Sequence, residues 1–229
     1  MLPTMTAKQL AGQAALRFIH SDMLIGLGTG STADCFLVAL AEAIKSGKLK
    51  GIRGIPTSQK SDARARELGI PVVGFAQNPR ASITVDGADE VGPDLNLIKG
   101  LGGALLREKV VAQNSDKLVI IADAGKEVPV LGTKSALPIE VTIFGHETQP
   151  AFFRSLGCEP TIRPNADGTP FITDNGNYIF DCRFPSIPDP VALESTLMHR
   201  AGIVETGLFI GIAKVALIAD GEGVRERTK

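Results

Sequence analysis

The sequence predicts an α/β protein: a mostly parallel sheet covered on both faces by helices, with a small βαββαβ unit inserted toward the C-terminal end. Three observations predict it. Over the first 130 residues or so, short apolar strands alternate with helical patterns, the rhythm of a sheet buried on both faces. From residue 139 the order becomes strand, helix, strand, strand, helix, strand, which is that of a split-βαβ, ferredoxin-like unit. KVALIAD (214–220) then resembles KLVIIAD (117–123) and returns the chain to the first sheet.

Each element has a local reason. Ala7, Leu10, Ala11, Ala14 and Phe18 form the apolar stripe of an opening helix. MLIGLG (23–28) is short, apolar and glycine-ended, hence a buried strand, and Ser31 or Thr32 can cap a helix running to about Ser46. GIRGIPT (51–57) is a strand and Ser58–Leu68 a charged helix. VVGF (72–75), ASITVD (81–86) and KLVIIAD are further strands, with a helix over Ala104–Asn114. In the inserted unit, IEVTIF (139–144) and CEPTIRP (158–164) are strands around a helix from His146 to Leu156. PFITDNGNYIFDCRF (170–184) reads as a hairpin whose Asn175-Gly176 pair suits a primed turn. Asp189 caps a helix to Arg200 with Pro190 in its first position, and GIVETGLFI follows as an extended segment. The expected domains are 1–132 plus 204–229, and 133–203.

Composition excludes several classes. With 24 basic and 25 acidic residues mixed along the chain, no broad basic face exists for a nucleic acid. No apolar run approaches the roughly 20 residues that cross a bilayer. The N-terminal segment lacks the pattern of a secretion signal. Cys35, Cys158 and Cys182 are odd in number and widely spaced, the usage of a reducing compartment, so the protein is expected to be cytoplasmic. His20, His146 and His199 are scattered, and no Cys/His group has zinc spacing, so no metal and no cofactor is expected.

Three segments carry chemistry. GLGTGST (26–32) joins a strand end to a helix start, where backbone amides and the Thr29, Ser31 and Thr32 hydroxyls suit a phosphate. The dinucleotide fingerprint needs glycine where Ser31 stands, and a nucleotide P-loop needs a lysine that is absent. A turn that merely connects β to α would also give this string. ASITVDGADEV (81–91) sets Asp86 at a strand tip with Asp89 three residues on; mutually repelling carboxylates there suit a ligand or cation, although an Asp-Gly turn with a capping Asp is the plainer alternative. In KGLGGALLREK (99–109), Lys99 precedes glycines 100, 102 and 103, and Glu108 lies on a helix among Ala104, Leu105, Val111 and Ala112. Three glycines in four positions are costly unless the backbone must approach something. A carboxylate on such an apolar surface is partly desolvated, which raises its pKa and improves it as a base; a lone Glu on an amphipathic helix is otherwise simply solvated. Together these residues suit proton abstraction next to the carbonyl of a phosphorylated sugar.

GLGTGST, the Thr57-Ser58 pair, VDGADE and KGLGGALLREK stand in the order and spacing of the A-type ribose-5-phosphate isomerase family, and the resemblance extends through TDNGN (173–177) and GIVETGLF. It implies a Rossmann-like domain with a small α/β lid, assembled as a homodimer or homotetramer, acting on a small sugar phosphate in the non-oxidative pentose phosphate pathway. By the same resemblance Glu108 is the base, Lys99 the cation beside the oxyanion, and Asp86 and Asp89 bind sugar hydroxyls. Thr29, Gly30, Ser31 and Thr32 form the substrate loop, with Gly87, Ala88, Gly100, Leu101 and Gly102 in the flanking binding loops. Lys126, in DAGK, and Lys8, in TAKQLAG, match binding lysines. No functional residue is carried over from 145–170. Three other classes stay open on residues alone: a sister sugar-phosphate enzyme such as an amino-sugar-phosphate deaminase, a sugar-phosphate sensor, and a dinucleotide-dependent reductase.

Overall fold

The computed structural model describes residues 5–229 of the chain. It is an α/β structure whose main sheet is parallel in five of its six strands. By internal contacts it divides into two units. One comprises the chain up to Ala88, Arg107–Lys126 and Gly211–Lys229; the other comprises Asp89–Leu106 and Glu127–Ile210.

The first unit is built on β1 (Leu24–Leu27), whose four residues are all buried. It pairs in parallel with β2 (Arg53–Pro56) on one side and β3 (Ile83–Asp86) on the other. The short β4 (Glu90–Val91) and β5 (Leu97–Ile98) belong to the second unit. β6 (Leu118–Asp123) pairs with β3. Helix α1 (Ala7–Ala15) opens with a capping box between Thr6 and Gln9, a signal present in the sequence as TAKQ. α2 (Ser31–Lys45) and α3 (Gln59–Glu67) follow β1 and β2, and Ile25, Leu27, Phe36, Leu40 and Val119 are among the residues that fill the core.

Helix α4 (Leu105–Gln113) begins at the end of the second unit and continues in the first. The second unit then runs β7 (Leu137–Val141), α5 (Gln149–Ser155), β8 (Glu159–Ile162), β9 (Tyr178–Arg183), α6 (Pro190–Met198) and β10 (Ile203–Thr206). The sheet order β10-β7-β9-β8, with every neighbour antiparallel, is the ferredoxin-like arrangement expected from the element order. β11 (Leu208–Phe209) pairs with β5, and β5 with β4, in a separate three-stranded sheet that draws residues 89–106 into this unit. That is why the division falls elsewhere than at 133 and 203. The chain returns as β12 (Ala213–Ala219), parallel to β6, and ends in β13 (Val224–Thr228), antiparallel to β12.

Two local expectations are corrected. Val72–Phe75 is no strand: Val72 makes one isolated bridge to Gly54, and pairing lapses after Val73 donates to the Gly54 carbonyl, with Gly74 interrupting the run. Residues 170–177 do not form the first arm of a hairpin either; β9 pairs instead with β7 and β8. Among described non-glycine residues only Asp22 and Leu95 have positive φ, so the turn at Asn175 and Gly176 is not a primed one.

What holds 170–177 is a buried carboxylate. Oε1 of Glu140, on β7, accepts from Thr173 Oγ1 at 2.9 Å, Asn177 Nδ2 at 2.9 Å and Asn175 Nδ2 at 3.3 Å. Thr173 Oγ1 in turn accepts from the amides of Asn175 and Asn177. A second buried carboxylate, Glu90, accepts from the amides of Gly132, Lys134 and Ser135 and so ties that loop to β4.

Candidate active site

The first unit carries the phosphate-loop candidate. Gly28 follows β1 and donates its amide to the Val85 carbonyl at 3.0 Å. Asp86 ends β3, is buried, and accepts on Oδ1 from the amides of Thr29 (3.0 Å) and Gly87 (2.7 Å). A Cβ on Gly28 would lie 2.4 Å from that oxygen, so glycine is needed for this approach. Gly30 has φ +110° and caps α2, a conformation that L side chains rarely adopt. Thr29 Oγ1 is 2.7 Å from Thr57 Oγ1 and donates to Ser58 Oγ at 2.8 Å. Thr57 donates to the Leu27 carbonyl and Ser58 caps α3, which ties the loop to the end of β2. Lys8 Nζ donates to Ser31 Oγ at 2.9 Å, so a lysine on α1 reaches the start of α2. A cavity of about 500 Å3 opens beside this loop, lined in part by Gly30, Ser31, Lys60 and Arg64. Arg64 is already bonded to Asp34 and Glu67, both of which hold its guanidinium pKa up.

Also in this unit, Gly87 and half-exposed Ala88 follow β3, and Lys126 closes the 3-10 turn after β6, half-buried. Glu108 lies in the first turn of α4 and is 3% exposed; Val111 and Ala112 of the same helix are buried as well. A solvated helical Glu is therefore not what this position holds. Lys109 is equally buried, which the apolar pattern of the helix did not suggest.

The second unit carries the glycine loop. Lys99 follows β5 and is 2% exposed; its amide donates to the Gly207 carbonyl at 2.9 Å, and its ammonium lies 5.3 Å from the centre of the Phe209 ring. A Cβ on Gly207 would be 2.3 Å from the Lys99 carbonyl oxygen, a reason for glycine in the GIVETGLF stretch. Gly100 (φ +103°) and Gly103 (φ +83°) take left-handed conformations and close a turn, Gly103 donating to the Gly100 carbonyl at 3.0 Å. Leu101 and Gly102 at its tip are exposed. Asp89 Oδ2 accepts from the Leu101 amide at 2.9 Å, so this carboxylate shapes the loop.

The structure thus joins Lys8 with Ser31, Thr29 with Asp86, and Asp89 with Leu101. Thr57 and Ser58 join Thr29 and Asp86, and their signal was the TS pair at the end of a strand. Among the described residues no group of three His, Cys, Asp or Glu side chains gathers as a metal site, and no helix is long and apolar enough to cross a membrane.

A parallel sheet with an amide-rich loop and a carboxylate at its strand ends defines a class: α/β proteins that take an anionic ligand there. Comparison with known proteins narrows the class. Residues 53–223 match the family model described as Ribose 5-phosphate isomerase A (phosphoriboisomerase A). Ribose-5-phosphate isomerase A of Desulfatibacillum aliphaticivorans is 48% identical over 219 residues, covering 96% of this chain and 95% of that protein. A probable chloroplastic ribose-5-phosphate isomerase of Arabidopsis thaliana is 43% identical, covering 97% and 83%. Among solved structures, a D-ribose-5-phosphate isomerase in complex with phospho-erythronic acid superposes with a TM-score of 0.95 at 38% identity, covering 97% of this chain and 98% of that one. The Plasmodium falciparum enzyme gives 0.94 at 40% identity, with the same coverage. The chain belongs to the ribose-5-phosphate isomerase A family.

Proposed function

We propose that this chain carries out the reaction named by its family, interconversion of D-ribose 5-phosphate and D-ribulose 5-phosphate, through a cis-enediolate. The phosphate binds at Thr29–Thr32, by amides at the start of α2, three hydroxyls and Lys8, which is bonded to Ser31; Lys126 adds a second cation. Asp86, Asp89 and the backbone at Gly87, Ala88 and Gly100–Gly102 take the sugar hydroxyls, and Asp86 assists ring opening. Glu108 removes the proton from C2 of the open-chain aldose and returns it to C1, while a proton passes from O2 to O1. No electron acceptor is consumed. Lys99 offsets the negative charge that builds on oxygen in the enediolate. Burial of Glu108 favours this use, because a desolvated carboxylate is a stronger base than a solvated one.

The observation that carries the reading is the Gly28–Thr32 loop: Gly28 packs against Asp86 and Lys8 is bonded to Ser31, which suits a phosphate ester, while Ser31 stands where the dinucleotide fingerprint needs glycine. The test is turnover of ribose 5-phosphate by chelator-treated protein, with the product identified as ribulose 5-phosphate. Turnover supports both the reaction and its independence of metal. Binding of the ester without turnover points to a sensor, release of ammonia from an amino-sugar phosphate points to a sister enzyme, and activity only after adding back a metal contradicts the metal-free mechanism.

The same reading makes the protein a cytoplasmic homo-oligomer, dimer or tetramer, in the non-oxidative pentose phosphate pathway, with no nucleic acid or membrane partner. Three unpaired thiols favour a reducing compartment. The adjacent Ile143 and Phe144, 42% and 94% exposed in the second unit, form an apolar patch that favours self-association there; sedimentation of the wild type against Phe144→Ser tests it.

A further inference from the structure

The loop that follows Lys99 is held from a segment with no assigned role. Arg163 comes directly after β8, and its side chain is 12% exposed. Its Nη1 donates to the Gly100 carbonyl at 3.0 Å and to the Leu101 carbonyl at 3.1 Å. Its other edge meets Asp181 of β9 in a two-point pair, Nε to Oδ2 at 2.9 Å and Nη2 to Oδ1 at 2.5 Å. The fork geometry of a guanidinium makes this possible: one edge binds a carboxylate while the remaining N–H groups stay aimed at carbonyls. The backbone at Arg163 is fixed as well. Its amide donates to Ile179 O, and its carbonyl accepts from the Phe171 amide, each at 2.8 Å. The Phe171 ring lies 6.0 Å from the guanidinium, and a Cβ on Gly103 would meet that ring at 2.6 Å. Phe171 belongs to the segment that Glu140 secures through Thr173, Asn175 and Asn177.

We infer that Arg163, oriented by Asp181, is a positioning residue for the isomerase reaction: it fixes the peptide planes of Gly100 and Leu101 and thereby the backbone that carries Lys99. The inference rests on the reading of Lys99 and its loop as part of the active site. Four constraints meet on this short turn: the Gly103–Gly100 bond, the Asp89 carboxylate on the Leu101 amide, the two Arg163 bonds, and the Phe171 ring against Gly103. Only the Arg163 bonds add full charge to the carbonyl side of the turn. Bonds to an ionised donor are the stronger kind, and a glycine-rich turn with an exposed tip is otherwise free to shift.

The test compares Arg163→Met, Arg163→Lys and Asp181→Asn with wild type, Lys99→Ala, and a core control, Phe153→Leu, in the hydrophobic cluster of the same unit. A displacement of about 1 Å in a catalytic loop costs on the order of 100-fold, so Arg163→Met is expected to lower kcat by about that factor and to change KM for ribose 5-phosphate by less than about threefold. Arg163→Lys and Asp181→Asn should fall between, since each keeps part of the fork. Phe153→Leu should lower the unfolding midpoint without lowering kcat. If Arg163→Met does not fold, the two milder variants decide: wild-type kcat in both overturns the inference. Wild-type kcat in folded Arg163→Met overturns it too, as does a kcat loss in Phe153→Leu equal to that of Arg163→Met at matched stability. If Lys99→Ala itself turns over normally, the reading of the loop fails first, and that result is distinct from failure of the clamp.

Discussion

Gly28 and Asp86 are in such close approach that a Cβ on the glycine would stand 2.4 Å from the aspartate Oδ1 and 2.6 Å from its Cα. The same Oδ1 accepts the Thr29 amide, so one oxygen fixes both the end of β3 and the phosphate-loop candidate. Gly28→Ala must push these apart. Overpacking of this kind costs about 1–3 kcal/mol. The expected result is a lower unfolding midpoint and a KM for ribose 5-phosphate raised further than stability alone accounts for, with inorganic phosphate weakened as a competitive inhibitor. Steady-state kinetics with phosphate as inhibitor checks this.

Lys99→Ala tests the oxyanion role. Loss of a donor to a developing oxyanion costs roughly 10²–10³-fold in kcat. The expectation is a fall in kcat of that order with a smaller change in KM. An effect on KM alone makes Lys99 a binding residue.

Glu140 allows a test of what a buried carboxylate does for the fold. Its Oε1 takes three side-chain bonds, while Oε2 has no hydrogen-bond partner among the described residues. Glu140→Gln can keep the oxygen where the three donors need it and removes a buried charge, but it sets an amide NH2 where Oε2 has no partner, so it is expected to cost about 1–2 kcal/mol. Glu140→Ala leaves three donors unsatisfied and is expected to cost at least about 3 kcal/mol. Urea unfolding of the two variants reads the difference.

The parallel sheet was legible because β1, β3 and β6 are apolar runs ended by Gly or Asp, and because β12 repeats the pattern of β6. The ferredoxin-like order followed from the helix expected over His146–Leu156, found at Gln149–Ser155, from the Asp189-Pro190 helix start, and from the strands between them. The strands β4, β5 and β11 were not legible, since two residues carry no periodicity, and only their mutual pairing identifies them. Within the site, the glycines and acids announced themselves by spacing. Two things did not. Burial of Lys109 beside Glu108 runs against the expectation for a charged helical residue. Arg163, in a stretch with no motif, gains meaning only from Asp181, 18 residues on, and from carbonyls more than 60 residues back.

The central claim is that Glu108 moves the proton between C1 and C2. Its most direct test is turnover of ribose 5-phosphate by Glu108→Gln, with binding of an inert sugar phosphate measured on the same sample. The amide keeps the shape of the carboxylate but cannot accept the C2 proton. General-base catalysis contributes about 10²–10⁴-fold, so kcat is predicted to fall by at least that much while the sugar phosphate binds within about threefold of wild type. A Glu108→Gln protein that isomerises at the wild-type rate would contradict the account, and the base would then have to be sought among the other buried carboxylates.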